Sequence, residues 1–444
     1  MSNMTFGFSR QIITPRVPVS LAGYFTLRPW DGVLDDLLVQ ALAVQGAGET
    51  AVLLQFDLVT IPRDFTETLR RRCSDISGLE SGHVILTASH THTAPVVRAE
   101  GRGGNPEYNR FVLDQAEKAV RESVADLQPG SLEYGAARDD RFAFNRRYWM
   151  ADGRVVTNPP RRDPSIVRPE GPIDPHIGLL RMQRNNHPTV LIASISNHAD
   201  TITGTKVSAD WPGFVRRSLE ADDPRLRVIT LTAPEGNVNH FNPHGDPVQS
   251  GYDVARRIGL GYAESIRNAF SSLQPSATDT LCARTQSITV GPREIPSEDI
   301  EQAREHAKKY AGAFRADGAS QLTSEDLATQ SPAALKYFAD RLLELAEDRS
   351  DHEFEIGIIR LGDAVLVALP GEPFVEYGIR IREELRSGLP TLVAALSDGR
   401  ATYIPTPDNI GRGGYETTPR CSPYTVQTGP ILLDAVRNLL EDLA

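Results

Sequence analysis

The chain has 444 residues, 40% hydrophobic and 24% charged, a composition that supports a sizeable folded core and excludes wholesale disorder. Lys and Arg number 47 against 58 Asp and Glu, so the formal net charge is −11 and broad nucleic-acid binding is excluded, because it needs a basic face. The three cysteines, Cys73, Cys282 and Cys421, are widely spaced and odd in number, so neither a disulfide framework nor a cysteine-rich metal site follows.

No run approaches the roughly 18 apolar residues of a spanning helix, and Met1 to Arg10 lacks the pattern of a secretory signal. The expectation is a cytoplasmic protein without a transmembrane segment. Its oligomeric state is not legible.

Short runs rich in Val, Ile and Leu predict buried strands at Leu37–Val44, Ala51–Phe56, His83–Thr87, Thr189–Ser196, Arg227–Leu231, Ala364–Leu369 and Thr391–Leu396. Apolar residues spaced by three and four predict helices over Tyr108–Leu127, Val254–Phe270, Val375–Leu385 and Gly429–Leu443. The expected class is therefore α/β, with layered sheets flanked by helices. Arg138 to Pro175 is rich in Arg, Asp and Pro and reads as a long functional loop. Ser297 to Asp351 is charged and Ala-rich. It reads as a helical hairpin inserted in the body, with caps expected at Ser297 and Ser331-Pro332, and packing is the simpler role than a lid.

Six predicted strands run into residues suited to acid–base or metal chemistry: Asp57; His90 and His92; His198 and Asp200; Glu235 and Asn237; Glu372; and Asp398. Ligands of open α/β sheets bind beyond the carboxyl ends of strands, so the set carries more weight than any member. In an extended segment His90 and His92 would share a face. Each residue also has an ordinary structural role open to it, as a hydrogen-bonded histidine or, for Glu372 after Pro370-Gly371, a helix cap. The glycines at Gly101–Gly104 and Gly411–Gly414 read as mobile loops and not as phosphate cradles. No Gly-x-Ser-x-Gly motif occurs.

These motifs, in order, resemble the catalytic domain of the neutral/alkaline, non-lysosomal ceramidase family. The stretches that carry the resemblance are Gly7–Arg10 through Thr14-Pro15 and Gly23-Tyr24; Ala88–His92; Asn145-Arg146; Asn197–Ala199; Pro370–Glu372; and Leu396-Ser397 through Tyr403–Thr406 to Tyr415-Glu416. The resemblance implies one Zn2+ held by His90, His198, Glu372 and Tyr403. It further implies substrate contacts from His92, Arg146 and Tyr415, with Arg146 and Tyr415 at the oxyanion and His92 passing a proton to the leaving amine. A zinc-activated water would then cleave an amide.

The departures point to a changed substrate. The family's Gly-Asp-Val-Ser-Pro-Asn stretch reads Gly236-Asn237-Val238-Asn239-His240-Phe241, so its serine is Asn239. Residues 1–444 read as one catalytic domain containing the 297–351 insertion, and the family's C-terminal immunoglobulin-like domain is not expected. No basic amphipathic helix for a bilayer is evident. The leading expectation is hydrolysis of a small, soluble polar amide. A true neutral ceramidase, a zinc-dependent ester or lactam hydrolase, and a catalytically silent binding protein are the alternatives.

Overall fold

The computed structural model describes residues 4–25, 27–46, 48–98, 103–314, 322–385, 388–399 and 402–443. Its larger sheet has eight principal strands: β1 (Thr5–Ile12), β2 (Leu38–Gly46), β3 (Glu49–Phe56), β4 (Leu79–Ala88), β5 (Gln128–Arg138), β6 (His176–Arg184), β7 (Thr189–Ile195) and β8 (Leu226–Thr232). They lie in the order β8-β7-β6-β5-β1-β2-β3-β4, with Gln274–Pro275 added against β5. The pairs β3/β4 and β7/β8 are parallel, and the other pairs on this path are antiparallel. A second sheet runs β9 (Leu281–Val290), β10 (His352–Leu361), β11 (Ala364–Ala368), β12 (Thr391–Ala394).

The period-two alternation of the strands builds four layers. On β3, Val52, Leu54 and Phe56 face one way, into a core shared with helices α1 (Arg63–Arg72) and α2 (Pro106–Ala125). Ala51 and Leu53 face the other way, into a core shared with Ala283, Ile359, Leu366 and Ala394 of the second sheet. The two sheets thus pack face to face between helices. Helices α3 (Asp210–Asp222) and α4 (Tyr252–Ala269) cover the β7/β8 end. Both faces of the central strands are buried, which is why they read as continuous apolar runs.

The seven expected strands and four expected helices are all present, with shifted ends. The strands that sequence reading passed over, β1, β5, β6, β9 and β10, are partly exposed and mix polar with apolar residues. The expected loop Arg138–Pro175 instead carries a three-stranded sheet, Val155–Thr157, Arg147–Met150 and Ile166–Pro169. The insertion is built of α5 (Ser297–Lys309), α6 (Ser324–Thr329) and α7 (Pro332–Glu347), not a plain hairpin. Residues 315–321 of it lie outside the described residues. Ser331 caps α7 as expected, whereas Ser297 caps nothing, because α5 begins at Ser297 itself after Pro296. Near the C-terminus come α8 (Val375–Glu383), α9 (Pro407–Arg412) and α10 (Thr428–Glu441). Helix α9 and the anchored carbonyl of Gly413 replace the mobile Gly411–Gly414 loop expected from sequence, since Arg147 Nη2 donates to Gly413 O at 2.7 Å. In the other glycine run, 101 and 102 lie outside the described residues. No described helix is long and apolar enough to cross a membrane.

Candidate metal centre

Four strand ends deliver their chemistry to one place. His90 follows β4, His198 follows β7, Glu235 follows β8 and Glu372 follows β11. One ligand atom from each of these four lies within 4.8 Å of the others. His90 Nε2 is 3.4 Å and His198 Nε2 3.3 Å from Glu372 Oε2. The imidazoles are turned by their other nitrogens. His90 Nδ1 is 2.8 Å from the Val59 carbonyl, and His198 Nδ1 is 3.1 and 3.0 Å from those of Glu235 and Val238. A carbonyl can only accept, so each Nδ1 carries a hydrogen and Nε2 is the atom each ring turns to Glu372. That is the arrangement in which histidines bind metals.

The backbone is strained to make it. His90 has φ +64°, so Ser89-His90 is not the extended segment expected from sequence, and a non-glycine residue adopts this region at an energetic cost. The ring of His92 still packs beside that of His90, with centroids 4.7 Å apart. Gly236 lets the loop after β8 press on the Glu372 segment: a Cβ there would meet Glu372 O at 2.4 Å. Gly23 does the same for His92, whose ring a Cβ at Gly23 would meet at 2.6 Å.

The donor set fits a cation. His90 Nε2, Glu372 Oε2 and both carboxylate oxygens of Glu235 are buried with no hydrogen-bond partner. Buried polar atoms are seldom left so in a native protein, and several converging on one point mark a ligand's place. The charges agree. Burial disfavours the charged form of His90, but the Glu372 carboxylate outweighs it and raises its pKa to about 9. Burial would raise Glu372, yet the His90 charge and the nearness of both imidazoles hold it well below the usual range. Burial pushes Glu235 well above that range, while it lowers His198, helped by the Arg146 guanidinium. A proton shared between His90 and Glu372 stands where a metal ion would sit.

The other expected residues surround this cluster. Arg146 Nη1 lies 3.5 Å from His198 Nε2, and Nη2 donates to Gly236 O at 2.6 Å. Arg146 is bonded to the Tyr403 hydroxyl, and its guanidinium carbon is 5.1 Å from that ring's centroid. Its carboxylate partner is the buried Glu416, with Nε 2.8 Å from Oε1. The Tyr403 ring stacks along that of His198 at 6.5 Å, and Glu372 pairs in register with Tyr403. Burial pushes the Tyr403 hydroxyl well above its ordinary range, so in this structure the phenol keeps its proton. The Tyr415 ring meets that of Tyr403 edge-on at 5.9 Å, and its hydroxyl is hydrogen-bonded with the Cys421 thiol. Burial drives His92 well below the usual imidazole range, so it is neutral.

His92, Arg146, Tyr403 and Tyr415 line a cavity of about 660 Å³, with the metal-competent cluster directly behind them. Leu335, Phe338 and Leu342 of α7 form its apolar wall, so the insertion closes one side of the site as well as packing on the body.

Two of the six strand ends lead elsewhere. Asp57 holds Arg216 at 2.9 Å and the Leu38 amide, and Asp398 pairs with Arg70 and the Leu86 amide. The polar residues of the departing Gly236–Phe241 stretch bond within the protein. Asn237 bridges Glu376 and the Val375 amide, Asn239 donates to Asn158, and His240 pairs with Asp200 beside a separate cavity of about 250 Å³. Glu235 is the member of the donor set that sequence reading noted at a strand end without naming as a ligand.

Comparison with known proteins bears on the fold. No family model matches the chain. It is similar to the neutral ceramidase of Mycobacterium tuberculosis, with 21% identity over an alignment of 426 residues that covers 83% of this chain. The chain spans 65% of the length of that relative. Its fold matches the crystal structure of neutral ceramidase from Pseudomonas aeruginosa with a TM-score of 0.74 and 18% identity, covering all of this chain and 75% of that one. A ceramidase complexed with C2 matches with a TM-score of 0.73 and 17% identity, at the same coverage. In fold, this chain is ceramidase-like.

Proposed function

We propose that the protein is a zinc-dependent amidohydrolase acting on a soluble amide. The observation that carries this reading is the buried His90–His198–Glu235–Glu372 set, whose partnerless donor atoms converge behind a cavity large enough for a small organic substrate. His90, His198 and Glu372 would hold the ion, with Glu235 in the same cluster and Tyr403 stacked beside His198. Two histidines and a carboxylate favour zinc, and zinc supplies an acidified water and a polarised carbonyl when bound. Arg146, fixed by Glu416 and Gly236, presents a permanent positive charge beside the cluster, where it stabilises an oxyanion. Tyr415 brings a neutral phenol to the same cavity wall as a second donor. His92 lines the cavity with a partnerless Nε2, the atom that would relay a proton to the departing amine.

A second reading, hydrolysis of ceramide itself, is favoured by the relatives named above and by the apolar wall of Leu335, Phe338 and Leu342. Against it stands Asn239, where the resemblance calls for serine. An amine-release assay on zinc-loaded protein separates the two. Soluble N-acyl amides are expected to turn over and ceramide in detergent micelles poorly, with chelation abolishing both. Robust, chelator-sensitive ceramide turnover would establish the second reading. Failure to cleave any amide with metal bound would overturn both.

A further inference from the structure

We propose that Arg420 is an anion-recognition residue and that the amide cleaved carries a carboxylate close to its scissile bond; the inference rests on the amidohydrolase reading above. Four guanidinium groups line the cavity: Arg146, Arg154, Arg412 and Arg420. Three have carboxylate partners: Arg146 has Glu416 at 2.8 Å, Arg154 has Asp152 at 2.7 Å and Arg412 has Glu170 at 3.2 Å. Arg420 has none among the described residues. Its contacts are the Cys421 thiol, 3.6 Å from Nη1, and two aromatic rings, with its guanidinium carbon 4.4 Å from the centroid of Tyr337 and 5.6 Å from that of Phe25.

That setting is unusual for a structural arginine. A largely buried cation is ordinarily paired, because the desolvation of the charge has to be offset. Rings on its flanks hold the guanidinium plane without using its N–H donors. The single carboxylate lining the cavity, Asp200, is already taken by His240 at 2.9 Å. The cavity therefore keeps one unneutralised, oriented fork of donors, the group suited to two oxygens of a planar carboxylate.

Its place fixes where the carboxylate falls on the substrate. Cys421 contacts both Arg420 and the Tyr415 hydroxyl, so Arg420 stands one side chain beyond the phenol assigned to the oxyanion. A carbonyl held between Arg146 and Tyr415 puts a carboxylate near the amide within reach of Arg420, and the α7 wall accommodates an apolar acyl group. N-acyl amino acids have this shape. The reaction is hydrolysis: the C–N bond breaks, the water oxygen joins the acyl carbon, and a water proton leaves with the amine.

The test compares N-octanoylglycine with the neutral N-octanoylethanolamine on zinc-loaded protein, as wild type, Arg420→Gln and Arg420→Lys. Wild type is expected to prefer the anionic amide in kcat/KM by about 10- to 100-fold, as befits a charge-assisted hydrogen bond. Arg420→Gln should bring that ratio close to one, chiefly by raising KM for N-octanoylglycine, with zinc content retained. Arg420→Lys, which keeps the charge and loses the fork, should retain part of the preference and serves if the glutamine variant does not fold. Equal use of both amides by wild type, or an undiminished preference in the variants, overturns the inference and leaves the amidohydrolase reading standing. If neither amide is cleaved, that reading fails, and calorimetry of N-octanoylglycine on the metal-free protein decides the role of Arg420 separately. Binding weakened tenfold or more by Arg420→Gln supports it, and unchanged or undetectable binding overturns it.

Discussion

Two buried charged clusters touch at Arg146 and differ in one respect. Around Arg147 most groups satisfy one another: Nε meets Glu170 at 3.2 Å, Nη1 meets Glu416 at 2.8 Å, Asn409 and Thr157 supply further bonds to the two carboxylates, and Glu416 Oε1 is left to its ion pair with Arg146. Around Glu372, by contrast, carboxylate and imidazole atoms face one another without completing their bonds. The first cluster holds loops together and needs nothing added. The second is left incomplete by the protein alone, and it lies behind His92 and Arg146 of the cavity wall. Burial and charge are common to both; the second differs in that its unpartnered donor atoms converge on one point.

The comparison can be broken by substitution on either side. Arg147→Ala removes the cation that Glu170 and Glu416 share and should destabilise the fold by about 3 kcal/mol, the low end of the loss when one partner of a buried pair is removed, because Arg412 and Arg146 remain beside the two carboxylates. Chemical denaturation checks this, and a change under 1 kcal/mol would put Arg147 outside the framework. Tyr415→Phe and Arg146→Lys should leave metal content and fold intact while turnover falls about 100- to 1000-fold, the loss typical of one oxyanion donor. Wild-type rates in either variant would remove that residue from the mechanism. Glu235→Gln removes a negative donor from the incomplete cluster. Metal dissociation is expected to become about 10- to 100-fold easier in competition with a chelator, as for groups that support a metal site; unchanged retention would return Glu235 to the framework.

The smallest effect concerns Asp398, a framework carboxylate with one incomplete oxygen. Burial pushes it up to about 7 against the pull of Arg70, and its Oδ2 lacks a partner. The unfolded chain releases this proton near pH 4, so the folded chain binds more protons between about pH 4 and 7, and its stability falls as pH rises through that window. Asp398→Asn keeps an acceptor for the Leu86 amide and tolerates the local φ of +45°. It should flatten that slope relative to wild type in urea denaturation at several pH values. An unchanged slope would show that Asp398 is ionised throughout.

How far the sequence reveals this arrangement depends on which signal each residue carries. Strands buried on both faces, such as β3 and β7, show as apolar runs. Strand β5, with most of its residues at least partly exposed, shows no clean period and is missed, as are α1 and α3 among polar flanks. His90, His198 and Glu372 are legible because motif order carries them. Glu235 stands at a strand end like Asp57 and Asp398, and nothing local tells an incomplete carboxylate from a paired one. The pairing of Arg146 with Glu416, 270 residues away, and the enclosure of the cavity by α7 are products of tertiary packing alone.

The central claim is that the incomplete cluster is a metal site on which amide hydrolysis depends. Elemental analysis of protein purified from zinc-replete medium, run beside His198→Ala, tests it most directly. The account predicts one zinc per chain in wild type and its loss in a variant that remains folded, with amide turnover following the metal. Wild-type protein without bound metal, or His198→Ala with full metal content, would contradict it.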